Sequence, residues 1–450
     1  MSYLQYNNYY NKTMRINMHR YANIAPNLCS NGNPNLTPSC TPAPCNAMPY
    51  NYYYMYDDGL PDPEMLPPPN LCQTVQDLNQ DKYAYSNYYD YSTMPFQDPS
   101  VALNFTITRL VSNIPTFAPY TDCKLSIPWG IIVIDDIIWV VNSGSGIVTS
   151  YHLQGESFPQ IINVFGPLGN ITQPTGIAYN TNINSFIIVN GQLRGSSSLI
   201  IVTRDGTING YNNAIRPNSS VLLVDRSCAK SVYTGVAIVN TAITVGVSLP
   251  LIKQYNNIYV ADFYNHRIDV FDGKLNHLNG QTICDQYKFN DEDLLDPIPC
   301  DYAPYNIVNI GDYLYVTYAR QNCDDNQYEF LGTGHGYINI FTYDGTYVKR
   351  FVSNGALNAP WGLILAPSSF GYPAGSIMVS NYGDGLINIY NCDGAYIGVL
   401  KDNSNNPFCL GGLHGLALNC RYNKIIYWTL TEDNLRNSYV GSINAACLCP

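Results

Sequence analysis

The sequence predicts an all-β fold: a six-bladed β-propeller over residues 103–450, preceded by an extended, largely irregular N-terminal arm over residues 1–102. Three observations carry this reading. From about residue 103, short runs rich in Ile, Val and Tyr recur between Gly, Asn and Asp turns, and no helical period is present. A unit opening on Pro-x-Gly, or a relic of it, occurs six times. The first 102 residues show neither period and hold 15 of the 40 Tyr and 13 of the 29 Pro.

Taken in order, the six anchors are IPWGIIV (127–133), QPTGIAY (173–179), VYTGVAI (232–238), YAPYNIV (302–308), APWGLIL (359–365) and GLHGLAL (412–418). Each opens an apolar strand, followed by a second strand ending in Asn or Asp and a third ending in Asp-Gly. The spacing of 46 to 71 residues is that of propeller blades carrying loop insertions. Asp-Gly pairs at DGTING (205–210), YDGTY (343–347) and NYGDG (381–385) supply the positive φ of tight hairpins, not a phosphate cradle. The last unit offers three clear strands. NFTITRLV (104–111), which precedes the first anchor, is placed to add the fourth and so close the ring, removing the open edges.

Composition excludes several functions. Charged residues make up 12% of the chain, against about 25% in average globular domains. The formal net charge is 22 − 33 = −11. So few cations cannot neutralise many phosphates, which argues against nucleic-acid binding. No apolar run reaches the ~18–20 residues of a membrane span. The termini read as having no signal peptide, anchor or sorting tail. The arm has two readings: a solvated tail, or a segment whose Tyr rings pack on a neighbouring subunit, giving self-association or contact with other assembly components.

The 14 Cys are Cys29, Cys40, Cys45, Cys72, Cys123, Cys228, Cys284, Cys300, Cys323, Cys392, Cys409, Cys420, Cys447 and Cys449. No Cys-x-x-Cys pair occurs, so zinc ribbons and thioredoxin-like centres lack support. Their company of Pro, Asn and Asp suits disulfides in loops; buried thiols acting as small hydrophobes are the alternative. Disulfides without a secretory signal, together with an Asn-, Ile- and Tyr-rich composition suited to an AT-rich genome, point to a structural component of a large DNA virus particle, or another extracellular setting.

The collinear set TRLVSN (108–113), IPWGI (127–131), PTGIAYN (174–180), TRDGTINGYN (203–212), ADFYNHRIDVFD (261–272), GYINIFTYDG (336–345), LNAPWGL (357–363) and NYGDGLINIYNCDG (381–394) resembles a family of NHL-like β-propeller proteins, mostly bacterial and predicted to be secreted. The resemblance covers about residues 103–445. It implies the six-bladed fold and supplies no reaction.

Candidate chemistry lies where propellers place it, near the central channel. Asn142, Asn190, Asp262 and Asn381 end second strands, and their oxygens would suit a hard cation such as Ca²⁺ if they formed a ring. Related propeller lactonases use a similar ring. The competing reading is that Asn and Asp simply start turns. His414 occupies the position held by Trp129 and Trp361 in other anchors, as a general base or as a channel-wall histidine. CDDN (323–326) with Glu329 is an acidic loop able to hold a cation or merely solvated. The expected function is a non-enzymatic structural or interaction propeller. The alternatives are a Ca²⁺-dependent hydrolase or lactonase and a carbohydrate- or ligand-binding propeller.

Overall fold

A computed structural model describes residues 105–245, 251–279, 287–291, 294–402, 404–419, 425–432 and 435–445. Six antiparallel sheets follow one another as blades, inner strand first. Blade 1 comprises Pro128–Ile134, Ile137–Asn142, Ile147–His152 and Ile162–Asn163. Blade 2 comprises Pro174–Tyr179, Leu199–Thr203, Thr207–Tyr211 and Val221–Asp225, with the hairpin Ile187–Asn190/Leu193–Ser196 inserted after its first strand. Among the described residues, blade 3 comprises three strands, Tyr233–Val245, Leu251–Asp262 and Arg267–Asp272. Blade 4 uses Tyr302–Ile310, Tyr313–Asn322, Tyr337–Phe341 and Tyr347–Ser353, and its second strand also pairs with Asp325–Glu329. Blade 5 uses Pro360–Leu365, Ile377–Asn381, Ile387–Tyr390 and Tyr396–Val399.

Blade 6 is closed by both ends of the propeller. Leu413–Leu418, Ile425–Glu432 and Asn437–Ala445 come from the C-terminal side, and Phe105–Ser112 adds the outer strand in antiparallel register from Phe105↔Ala445 to Ser112↔Tyr439. The expected role of the segment before the first anchor is therefore met. Neighbouring inner strands touch in sequence order around the circle, and the sixth returns to the first.

The Pro-x-Gly signature has a steric cause. A Cβ on Gly130 would stand 2.7 Å from the carbonyl oxygen of Thr175 in the next blade, and one on Gly415 would stand 2.6 Å from that of Trp129. At these glycines adjacent inner strands approach too closely for a Cβ. Blade 4 carries Asn306 at this position, and its side-chain Nδ2 donates to the Trp361 carbonyl oxygen of blade 5 at 2.8 Å. The same seam is fastened by Thr175 Oγ1 donating to Tyr233 O at 2.7 Å and Ser380 Oγ donating to His414 O at 2.6 Å.

Beyond Arg267–Asp272 the described residues hold the edge of blade 3 by local hydrogen bonds. Asp272 N–H donates to Asn276 O at 3.0 Å and Leu278 N–H to Val270 O at 2.8 Å. The Asn279 side chain then acts as a surrogate peptide, accepting from Val270 N–H at 3.0 Å and donating to Ile268 O. Among the described residues, the edge is thus occupied by four hydrogen bonds. In the same blade, Arg267 Nε pairs with buried Asp269 at 2.7 Å, while His266 Nδ1 lies 3.3 Å from Tyr302 O of blade 4, so the His266–Arg267–Asp269 motif holds its own blade and meets the next.

Candidate functional site

The residue before the seam glycine, or before Asn306 in blade 4, lies at one end of the channel in each inner strand: Trp129, Thr175, Thr234, Tyr305, Trp361 and His414 in blade order. All six are buried. Their position is dictated by the glycine or Asn306 that follows, which sets the spacing of neighbouring strands. Large rings at four of the six positions fill the axis. Trp129 meets Tyr305 at 6.2 Å and Trp361 at 6.1 Å, both edge-on. Trp361 Nε1–H reaches past blade 4 to Thr234 O in blade 3 at 3.0 Å.

His414 is sandwiched. Trp129 stacks on one face at 4.4 Å, and Tyr382, just beyond the second strand of blade 5, stacks at 4.3 Å. The imidazole is fully buried and neither ring nitrogen has a hydrogen-bond partner. Burial, reinforced by the Arg204 charge, pushes its pKa down to about 3. It is a neutral ring with one donor and one acceptor unused.

Two charged residues cap this stack from different blades. Arg204, in the turn after the second strand of blade 2, places its guanidinium 4.6 Å from the Tyr328 ring centroid and 5.7 Å from that of Trp129. Its Nη2 donates to Gln327 O at 2.6 Å. Tyr328 and Gln327 belong to Asp325–Glu329, the extra strand of blade 4, which therefore lies across the channel mouth. Glu329, next along, is buried; burial raises its carboxyl pKa, while Arg204 and the Tyr305 hydroxyl pull it back down. Among the described residues its Oε2 has no hydrogen-bond partner. Sequence reading found Glu329 as part of an acidic loop and missed Arg204, which lies 125 residues away in the chain.

The proposed oxygen ring does not form. Asn142, Asp262 and Asn381 do occupy equivalent positions in blades 1, 3 and 5, but each fastens the loop entering its own blade. Asn142 Oδ1 accepts from Ser126 N–H at 3.2 Å, while its Nδ2 donates to Thr149 Oγ1 at 2.9 Å. Asp262 accepts from Val232 N–H at 3.1 Å and Asn265 Nδ2 at 2.8 Å. Asn381 Nδ2 donates to Ala356 O at 2.7 Å. Asn190 is not in a blade at all: it sits in the inserted hairpin, exposed, donating to Ile215 O at 3.1 Å. In blade 2 the fastening passes to Asp205, which accepts from Gln173 N–H at 2.7 Å. The Asn142 and Asp262 oxygens are spent within their own blades and Asn190 stands outside the blades, so the four residues do not come together as one ring, although Asn381 Oδ1 carries no hydrogen bond among the described residues. Among the described residues, no group of three His, Cys, Asp or Glu converges as metal ligands.

Of the cysteines, Cys123, Cys300 and Cys409 are exposed free thiols, and Cys228 and Cys323 are also exposed. Cys392 is disulfide-bonded. Cys29, Cys40, Cys45, Cys72, Cys284, Cys420, Cys447 and Cys449 lie outside the described residues, as does the arm before Phe105. Among the described residues no helix is long and apolar enough to cross a membrane.

Three proteins of Acanthamoeba polyphaga mimivirus are similar to this chain. Uncharacterized protein R648 is 37% identical over 78% of this chain and 82% of its own length. Uncharacterized protein L690 is 34% identical over 78% and 88%. The chain belongs to this family. Uncharacterized protein R640 is 41% identical over 75% of this chain, which spans 59% of R640's length. No protein-family model matches, so the NHL-like resemblance stands on its motifs. Among solved structures, a Bacteroides thetaiotaomicron protein of unknown function is similar at 10% identity, covering 76% of both chains with a TM-score of 0.46. Virginiamycin B lyase from Staphylococcus aureus is similar at 11% identity, covering 76% of this chain and all of its own, with a TM-score of 0.40.

Proposed function

We propose that this chain is a non-enzymatic interaction propeller, a component of the particle or another extracellular assembly of a large DNA virus, binding protein neighbours through its loop faces. The observation that carries this reading is the segment inserted in blade 2. Ile183 is 81% exposed, Val189 57% and Leu193 52%, with Tyr179 exposed where the inner strand ends. Keeping several large apolar side chains of one short segment in water is unfavourable, and a covering partner reverses the sign.

Strand directions put this hairpin and the start of Phe105–Ser112 at the same end of the ring, opposite the capped channel mouth. The residue 1–102 arm would thus leave the propeller on the face that carries the apolar patch. Self-association or contact with a neighbouring subunit through that face is the interaction we propose. The viral relatives support the setting, and the low charge supports close packing against neighbours. Mass spectrometry of purified particles should detect the chain; its absence there would sink the virion setting. Light scattering of the full chain should show self-association that the combined change Ile183→Asp, Val189→Asp and Leu193→Asp removes. Identical masses for the two proteins would refute the interface.

A further inference from the structure

We propose that the channel mouth is an aromatic cage for an organic cation, a guanidinium or alkylammonium group, and that Arg204 is its resident occupant. Three features of the mouth lead there. Arg204 already lies against two aromatic faces, Tyr328 and Trp129, which is how such cages hold cations. The vacant hydrogen-bonding capacity around it includes acceptors: Glu329 Oε2 and one nitrogen of neutral His414, both buried and without partners. Gln327 O supplies a third acceptor, which Arg204 now uses. Aromatic faces, a carboxyl group and acceptor atoms together suit N–H donors bearing positive charge, and they oppose an anion.

Arg204 is also a replaceable occupant. It stands on a short turn, partly exposed, and reaches the cage from blade 2 while Tyr328 and Glu329 come from blade 4. The cage walls would therefore remain when its guanidinium swings out. An incoming cation would take over the two ring contacts and the Gln327 carbonyl, and its remaining donors would reach Glu329. The ligand is defined by its charged group. It can be a small free amine or guanidine, or an Arg or Lys side chain of a protein neighbour.

The test uses the full chain and the fluorescence of Trp129 and Trp361, titrated with methylguanidinium, tetramethylammonium and acetyl-arginine-amide. Arg204→Ala should bind methylguanidinium about tenfold more tightly than the unaltered protein, because the competing side chain is gone. Adding Glu329→Gln to that variant should weaken binding about tenfold. If acetyl-arginine-amide binds as well, a side chain of a protein neighbour can enter; if only the small cations bind, the cage serves free molecules. Equal binding by the unaltered protein and Arg204→Ala, or indifference to Glu329→Gln, overturns the proposal. Should Arg204→Ala fail to fold, Arg204→Gln, which keeps a donor for Gln327 O, takes its place: tighter binding than the unaltered protein supports the cage, and equal binding overturns it.

Discussion

The channel and the blade 2 insertion are built from the same kinds of side chain and treat water in opposite ways. At the channel, Trp129, Tyr305, Trp361, Tyr382 and His414 lie ring against ring and all are buried. In the insertion, Ile183, Val189 and Leu193 face solvent. The difference comes from what surrounds each. Six inner strands converge on the channel, so its side chains meet one another from every direction. The hairpin forms a two-stranded sheet of its own and meets the propeller along one side, through contacts such as Asn212 Nδ2 to Ser196 O at 2.7 Å. The contrast shows that burial within the chain stabilises the ring, whereas the insertion is left for something outside it.

This contrast can be broken most severely at its centre. Trp129→Ala should cost about 3–5 kcal/mol in chemical denaturation, since it removes a ring that touches His414, Tyr305 and Trp361 at once. Gly415→Val should cost about 1–3 kcal/mol or more, because its side chain meets the Trp129 carbonyl oxygen. Asn381→Ala should cost about 1–2 kcal/mol by removing one of the two amide donors, the other from Asn388, that hold the Ala356 carbonyl. Asn190→Ala should stay within about 0.5 kcal/mol, as expected of an exposed side chain. A cost for Asn190→Ala equal to that for Asn381→Ala would erase the distinction drawn between blade fasteners and the insertion.

Acid sharpens the same comparison. The folded-state pKa of His414 lies near 3, below the value of about 6.5 expected in the unfolded chain. Below pH 6.5 the unfolded chain therefore binds a proton that the folded chain refuses, and stability falls as pH drops from about 6.5 toward 3. His414→Phe, which keeps an aromatic ring in the stack, should make that fall shallower while leaving stability near pH 8 much less affected. Parallel pH profiles for the two proteins would mean that the ring is not held neutral by burial.

How much of this could be read in the sequence depended on how local the cause was. Blade number was legible because the anchor glycine answers a steric demand at five of the six inner strands, and blade 4 departs from it with Asn306, which hydrogen-bonds across the same seam. Asn142, Asp262 and Asn381 were recognised as equivalent because they end true second strands. Asn190 was misassigned because IIVN in a hairpin insertion has the same apolar run and terminal Asn as a blade strand. What their side chains do was hidden: a turn fastener and a metal ligand demand the same residue types, and hydrogen-bond direction separates them. Arg204 was illegible for a different reason. Its partners Gln327 and Tyr328 come from a blade two places further round the ring, and no local pattern marks such a meeting.

The outer strand of blade 6 has a consequence in time. Phe105–Ser112 is among the first propeller strands to leave the ribosome, yet its partner ends at Ala445. At about 5–20 residues per second, synthesis of the intervening chain takes tens of seconds. Throughout that interval the first strand lacks its long antiparallel partner and has only the short parallel pairing of Val111 and Ser112 with Tyr120 and Thr121, and the growing ring is not closed. Completion is therefore a late, single event, and a chain truncated before Asn437 would carry five formed blades and a persistent edge open to other chains.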